Sequence, residues 1–393
     1  MTPEELGAHL HSSVHAALSV GQLALDITEV PVTITVDRPK NPEHGDWATN
    51  IAMQLAKKAG LAPREVASVL LPYILDIDGV ASADIAGPGF INITLSAASM
   101  GELARDIVLA GDRYGTGESL AGHHINVEFI SANPTGPLHL GHTRWAAVGD
   151  AIARALEAHG AQVVREFYIN DRGVQMDKFG ASTKAVALGQ PIPEDGYHGA
   201  YIPLLAREVV DAEPGILDLP EPQRHEAFRE ASYRVQLADQ KRVLALFNTH
   251  FDVWYSERSL HDSGAVERGF AKLREQGHVF EHDGAVWLRT TDFDDDKDRV
   301  LVKADGELTY FASDTAYYVD KRSRGFDRCI YLLGADHHGY VNRLRAIAAC
   351  AGDDPNTAIE LLIGQMVKMV KGGQEVRMSK RTGNLVTLED LVD

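Results

Sequence analysis

Residues 125–142 read INVEFISANPTGPLHLGH, and residues 162–169 read QVVREFYI. The first stretch opens as a short apolar strand, Ile125 to Ile130, and crosses a loop of Ser, Asn, Pro and Gly. A helical pattern then runs from about Thr143 to His159 and closes at Gly160. The second stretch is another apolar strand, ending in the turn Asn170-Asp171-Arg172-Gly173. Parallel strands need a long crossover, and a helix is the usual one. Strand, loop, helix and strand in this order therefore predict an α/β fold built on a parallel, doubly wound sheet.

Downstream, residues 174 to about 285 are mixed and mostly helical, broken by Pro191, Pro193, Pro203, Pro214, Pro220 and Pro222. They read as a helical insertion between two halves of the sheet. The second half begins with a hairpin-like turn at Asp305-Gly306, followed by a helix from Asp314 to Arg322. A strand from Cys329 to Leu333 leads into GADHHGY, and a helix from Val341 to Cys350 follows. IELLIGQMVKMV reads as a buried strand, and KGGQEVRMSKRTGN as a glycine-rich basic loop.

Upstream lies a small α+β domain. Helical periodicity covers Leu6 to Leu25, and Val32, Ile34 and Val36 alternate as a strand. EHGDWATNIAMQLAKKAG has helical spacing and ends at Gly60, a C-cap candidate. A further helix is expected from Pro63 to Ile74, then strands around Gly87-Pro88-Gly89. The expected divisions are 1–112 for the N-terminal domain, 120–173 and 301–371 for the two halves of the sheet, 174–300 for the insertion, and 372–393 for the basic loop and the first turn of a helix. Leu388, Leu391 and Val392 begin an apolar face there, so the chain reads as a fragment or a truncated product.

The 393 residues carry a formal net charge of -18, which argues against a large non-specific nucleic-acid surface. A basic groove on an acidic protein remains compatible with that sum. The two cysteines, Cys329 and Cys350, form no C-x-x-C pair, so a cysteine zinc site and a disulfide framework are excluded. Neither a secretory leader nor a membrane-length apolar run is present in the sequence, so a soluble cytoplasmic protein is expected. The acidic run from Asp292 to Asp298 lacks the glycine and glutamate of a calcium loop, since Lys297 and Lys303 stand at those positions. His123-His124 lacks spaced partners, and no protein-bound metal is expected.

Two motifs carry chemistry. His139-Leu140-Gly141-His142 follows a strand and opens a helix, with the imidazoles three residues apart on one face of the first turn. Helix N-termini bind phosphate through free N–H groups and the positive dipole end, and glycine lets a nucleotide approach the backbone. Alone, this pattern is as readily a chance pair of helix histidines. Arg377-Met378-Ser379-Lys380 lies in a loop, where a lysine can follow a moving triphosphate; alone it reads as a solvated basic turn.

Together, in this order and at this separation, the two motifs resemble the HIGH and KMSK signatures of class I aminoacyl-tRNA synthetases. VEFISANPTGPLHLGHTR, FYINDRGVQ, DGELTYFASDTAYY, LGADHHGY and RMSKRTGN resemble the blocks of arginyl-tRNA synthetases in sequence order, and EHGDWATNIAMQLAKKAG and GPGFINI resemble that family's N-terminal domain. The resemblance implies a Rossmann-like catalytic domain. It also implies ATP, as its magnesium complex, together with L-arginine and tRNA(Arg) as substrates, in a monomer that binds no membrane.

The same resemblance implies the site. His139, His142 and Lys380 would stabilise the triphosphate, and Gly141, Gly334, Asp336, His337, Met378 and Ser379 would bind ATP. His338 reads equally as a helix-start residue with no ligand. Asp314 and Tyr310 would meet the guanidinium, a cation that cannot be deprotonated and calls for carboxylates in bidentate reach. Asn133 and Glu128 would hold the α-amino and carboxylate end, although a strand-end carboxylate such as Glu128 also reads as a structural ion pair. Asn170, Asp171 and Arg172 would shape the tRNA acceptor end. Two departures stand out: Arg377 replaces the first KMSK lysine, and Gly136 stands where some arginyl enzymes carry a compensating lysine. The family continues into a helical anticodon-binding domain, to which no segment here corresponds. The alternative reading is a truncated homologue that senses arginine or ATP without charging tRNA.

Overall fold

The computed structural model describes residues 1–365, 367, 369–371, 374–376 and 386–392. The chain divides into two compact units, Met1–Gly115 and Thr116–Asp393.

In the first unit the elements are α1 (Pro3–Ser19), β1 (Trp47–Thr49), α2 (Ile51–Ala59), α3 (Pro63–Leu75), β2 (Val80–Ala86), β3 (Phe90–Leu95) and α4 (Ala97–Ala110). β1, β3 and β2 form an antiparallel sheet in that order. Leu6, Leu10 and Val14 of α1 and Leu55, Leu70 and Ile74 of α2 and α3 bury their apolar faces against Ile91 and Ile93 of β3. The α1 start carries a full capping box from Thr2 and Glu5, and α2 stops at Gly60, which is left-handed at φ 66°. The strand expected at Val32, Ile34 and Val36 does not form. Only an isolated bridge from Asp37 to Ala48 occurs there, and Val32 is exposed. Trp47–Thr49 takes the sheet edge instead, and helix α2 begins only at Ile51.

The second unit runs β4 (His124–Glu128), α5 (Leu140–Ala158), β5 (Gln162–Ile169), α6 (Val174–Ala187), α7 (Tyr201–Ala212), α8 (Gln223–Leu246), β6 (Val253–Ser256), α9 (Glu257–Asp262) and α10 (Ala265–Glu275). It continues with β7 (Val279–His282), β8 (Ala285–Leu288), β9 (Arg299–Val302), α11 (Tyr310–Ser323), β10 (Arg328–Gly334), α12 (Val341–Cys350), β11 (Ile359–Gly364), β12 (Met369–Lys371) and β13 (Gln374–Val376). The main sheet is parallel in the order β11-β10-β4-β5-β6. β4 leads to β5 on one side, and the chain returns to place β10 on the other. The switch point thus lies between β4 and β10, where open α/β sheets bind ligands beyond the strand ends.

The stretch expected to be mostly helical also supplies β6, an edge strand of this sheet, and the antiparallel β7-β8-β9. Its helices α6, α7 and α8 enclose a core of their own around Phe179, Ile202, Val209 and Phe228. Among the described residues, no helix is long and apolar enough to cross a membrane.

Candidate active site

The chain leaves β4 through two left-handed residues, Ile130 at φ 68° and Ser131 at φ 45°. For a β-branched residue this is strained, at a cost on the order of 1–3 kcal/mol. Ser131 stabilises the bend. Its hydroxyl donates to Glu128 Oε1 at 3.0 Å and accepts from the Tyr168 amide at 3.1 Å, tying β4 to β5.

Beyond the bend, His139 caps α5. Its Nδ1 accepts the Gly141 amide at 3.1 Å, and His142 Nδ1 accepts the His139 amide at 3.1 Å. The ring centroids lie 3.9 Å apart, with the planes tilted 34° to each other. Since both Nδ1 atoms accept, each neutral ring carries its proton on Nε2 and is a donor there. A side chain at Gly141 would put its Cβ 2.9 Å from the His139 ring, so glycine is what permits this capped turn. The expected pairing of the two histidines at the positive end of a helix is thus in place.

Val386 to Leu388 return to this turn. Leu140 donates its amide to the Val386 carbonyl at 3.0 Å, and Leu388 donates to Leu138 at 2.9 Å. Leu388 is fully buried beside Leu138, and Glu389 pairs bidentately with Arg242 of α8 at 2.7 and 3.0 Å. Met378, Ser379 and Lys380 lie outside the described residues.

At the switch point opens a cavity of about 330 Å³, lined by Glu128, Trp145, Tyr168, Asp314 and Tyr317, with Tyr310 and Gly334 also at its walls. Burial pushes the Asp314 carboxyl up to about 7; the nearby Glu257 and Glu128 charges push the same way and Arg343 opposes them. Glu257, the first residue of α9, is itself buried. Its carboxyl is raised by burial against the pull of Arg172 and a hydrogen bond to Tyr168. Asp314 and Glu128 therefore converge on one small aromatic cavity, with the Glu257 charge acting on Asp314 from outside its lining. That arrangement is unfavourable when empty and is relieved by a cation with several N–H donors.

Beneath the cavity lies a buried polar layer. Lys321 is fully buried, with Nζ 2.6 Å from Glu128 Oε2 and over the Tyr331 and Tyr317 rings. The Tyr317 hydroxyl lies 2.9 Å from Glu128 and 2.5 Å from Glu166, and Arg324 grips Glu166 bidentately at 2.6 and 2.9 Å. Burial alone would raise the Glu166 carboxyl, but Lys321 and Arg324 outweigh it and hold the group below its ordinary value. Sequence reasoning allowed Glu128 a structural ion pair, which Lys321 supplies, but missed the rest of this layer and Glu257. A signal existed: Asp314, Tyr317 and Lys321 fall on one face of a helix whose neighbours are apolar.

Not every expected residue reaches the cavity. Asn133 is exposed and is not among the residues lining it; its backbone carbonyl accepts from Gln240 at 3.2 Å. Tyr310 is 79% exposed at the cavity rim. Gly334 ends β10 at the wall, while the side chains of Asp336 and His337 lie outside the described ones. Asp171 is a buried knot, accepting from Ser256 at 2.5 Å, Tyr233 at 3.0 Å and the Arg258 amide at 3.1 Å. The Asn170 carbonyl accepts from Gln175, and exposed Arg172 donates to His261 Nε2 at 2.7 Å.

Comparison with known proteins agrees with this geometry. Residues 6–95 match the model of the arginyl tRNA synthetase N terminal domain, and residues 105–187 and 223–393 match that of the class I (R) tRNA synthetase catalytic domain. The arginine–tRNA ligase of Renibacterium salmoninarum is 58% identical over all of this chain, which spans 71% of that protein. The arginine–tRNA ligase of Kineococcus radiotolerans is 55% identical over the same shares. The solved arginyl-tRNA synthetase of Thermus thermophilus shares the fold, with a TM-score of 0.71 at 22% identity over the whole of this chain and 69% of that one. A histidine pair capping the first crossover helix, a cavity walled by Asp314 and Glu128 at the switch point and this match across the chain have one common reading: the chain belongs to the arginyl-tRNA synthetases, within the class I aminoacyl-tRNA synthetases.

Proposed function

We propose that this chain activates L-arginine with magnesium-bound ATP and transfers it to the 3′ end of tRNA(Arg). The observation that carries the arginine assignment is the buried Asp314 carboxyl, which lines the cavity at the switch point beside Glu128 and feels the nearby Glu257 charge. A guanidinium supplies the missing positive charge and planar donors for it.

The amino acid's carboxylate then attacks the α-phosphorus of ATP in line. The bond to the bridging oxygen breaks, pyrophosphate leaves and arginyl-adenylate remains. The terminal adenosine hydroxyl of tRNA next attacks the acyl carbon, and AMP departs. The protein supplies position and charge stabilisation rather than covalent chemistry. His139 and His142 present Nε2 donors at the α5 N-terminus, and Lys380 is the cation assigned to the leaving pyrophosphate. Tyr310, at the cavity rim, would cover the guanidinium end, and Asn133 the α-amino end. Asn170 and Arg172, at the exposed end of β5, are the acceptor-end candidates; Asp171 supports them from below.

ATP–pyrophosphate exchange tests the reading. It should require arginine, fail with citrulline, whose urea group is neutral, and be measured with and without tRNA(Arg). Exchange driven equally by citrulline would overturn the carboxylate assignment. Arginine binding without any exchange, tRNA present, would favour the sensor reading instead.

A further inference from the structure

Beyond the strained bend at Ile130 and Ser131, the Asn133–Gly136 turn leads into His139. Its carbonyls are captured from outside. Tyr201, on the first turn of α7, donates its hydroxyl to the Thr135 carbonyl at 2.7 Å. Gln240 of α8 donates Nε2 to the Gly136 carbonyl at 2.8 Å and to the Asn133 carbonyl at 3.2 Å. Gln240 and Thr135 are buried, and both Gln240 partners are carbonyls, so its amide has one workable orientation. Gly136 packs so closely that a Cβ there would lie 3.0 Å from the Tyr201 oxygen.

We propose that the inserted helices position the nucleotide-binding turn, with Tyr201 and Gln240 as positioning residues that hold the Asn133–Gly136 carbonyls and so aim the His139–His142 pair at the phosphates. The inference rests on the proposed ATP chemistry of that turn. Neither residue lines the arginine cavity, and Tyr201 holds only the Thr135 carbonyl, so the effect of Tyr201 falls on ATP rather than arginine.

The test uses Tyr201→Phe, which removes one oxygen, Gln240→Leu, and Tyr197→Phe as a control in the same insertion. Active-site-titrated exchange is measured against ATP and arginine, with melting temperature and direct binding of α,β-methylene-ATP alongside. Tyr201→Phe should lower kcat/KM for ATP by about threefold to tenfold, the size of one lost hydrogen bond, with KM for arginine and the melting temperature nearly unchanged. Gln240→Leu should show a larger effect on the same parameter. Should Gln240→Leu fail to fold, Tyr201→Phe decides alone. Should the parent chain show no exchange, the proposed function is what fails, and the positioning role is judged on analogue affinity, expected to fall in Tyr201→Phe and not in Tyr197→Phe. Unchanged ATP parameters in Tyr201→Phe, or an equal loss in Tyr197→Phe, would overturn the proposal.

Discussion

Lys321 has no solvent exposure, and its ammonium lies 2.6 Å from the Glu128 carboxylate at the floor of the cavity. Burying two charges is costly, and removing one partner is costlier than removing both, because the survivor keeps its desolvation penalty. Lys321→Met should therefore destabilise the second unit by about 3–5 kcal/mol, and the double change with Glu128→Gln should recover much of that loss. Urea unfolding followed by tryptophan fluorescence would measure both. A single change as mild as the double one would show that Glu128 is already neutral in the folded chain.

On the proposed assignment of Asp314 to the guanidinium, arginine binding should depend on pH. Its carboxyl is raised to about 7 by burial and by Glu257 and Glu128, and only the ionised form pairs with a guanidinium. Arginine affinity should rise as pH increases towards 7 and level off above it, with protons released on binding below 7. Calorimetry in buffers of different ionisation heat reads both. Without arginine the sign for stability is opposite. A carboxyl raised in the folded state holds its proton where the unfolded chain has lost it, so this group's contribution declines as pH climbs from the ordinary carboxylate value through about 7. Asp314→Asn should weaken arginine binding by about 10- to 100-fold, flatten the pH profile and leave the empty protein more stable at pH 8.

What the sequence made legible follows from which interactions are local. The strand, the Gly-rich loop and the capped helix at His139 are short-range patterns, and β5 begins and ends where its apolar run does. Asp314 was reachable because it belongs to a recognisable block. Glu257, Lys321 and Gln240 were not, because their meaning comes from partners far along the chain, more than a hundred residues away for Lys321 and Gln240. Asp171 was expected to help shape the tRNA acceptor end, yet its three donors come from α8 and the β6–α9 junction and place it in the interior. β6 escaped for a different reason: four residues between helices are too few to show alternation, and pairing with β5 supplies its stability.

The histidine pair separates binding from chemistry. His142 contributes its Nδ1 to hold the His139 amide, which leaves Nε2 as the donor nitrogen of the neutral ring. His142→Ala should reduce the exchange rate by about 100-fold or more while arginine affinity changes less than twofold, because donors of this kind act on developing charge. His142→Asn keeps a side-chain acceptor for the His139 amide, so it should retain the capped turn but not the rate. An Asn variant with full activity would assign His142 a capping role alone.

The Arg242–Glu389 pair offers a way to ask how firmly the segment after the basic motif is held against the HLGH turn. Both side chains are substantially exposed, so the pair adds at most about 1 kcal/mol to stability, despite two hydrogen bonds. The same partner keeps the Glu389 carboxyl below its ordinary value, so whatever the pair contributes is present at neutral pH and fades as pH falls through that lowered value. Leu388, by contrast, is fully buried beside Leu138 and anchors the segment by packing. Replacing Leu388 with Ala should cost about 2–5 kcal/mol and release the segment, whereas Arg242→Ala should cost under about 1 kcal/mol and become undetectable in 0.5 M salt. Amide exchange at Leu140 and Leu388, whose N–H groups bond across the pairing, distinguishes the two. Protection lost in Leu388→Ala but kept in Arg242→Ala would establish packing as the anchor. Equal loss in both would make the ion pair the hinge on which this segment turns.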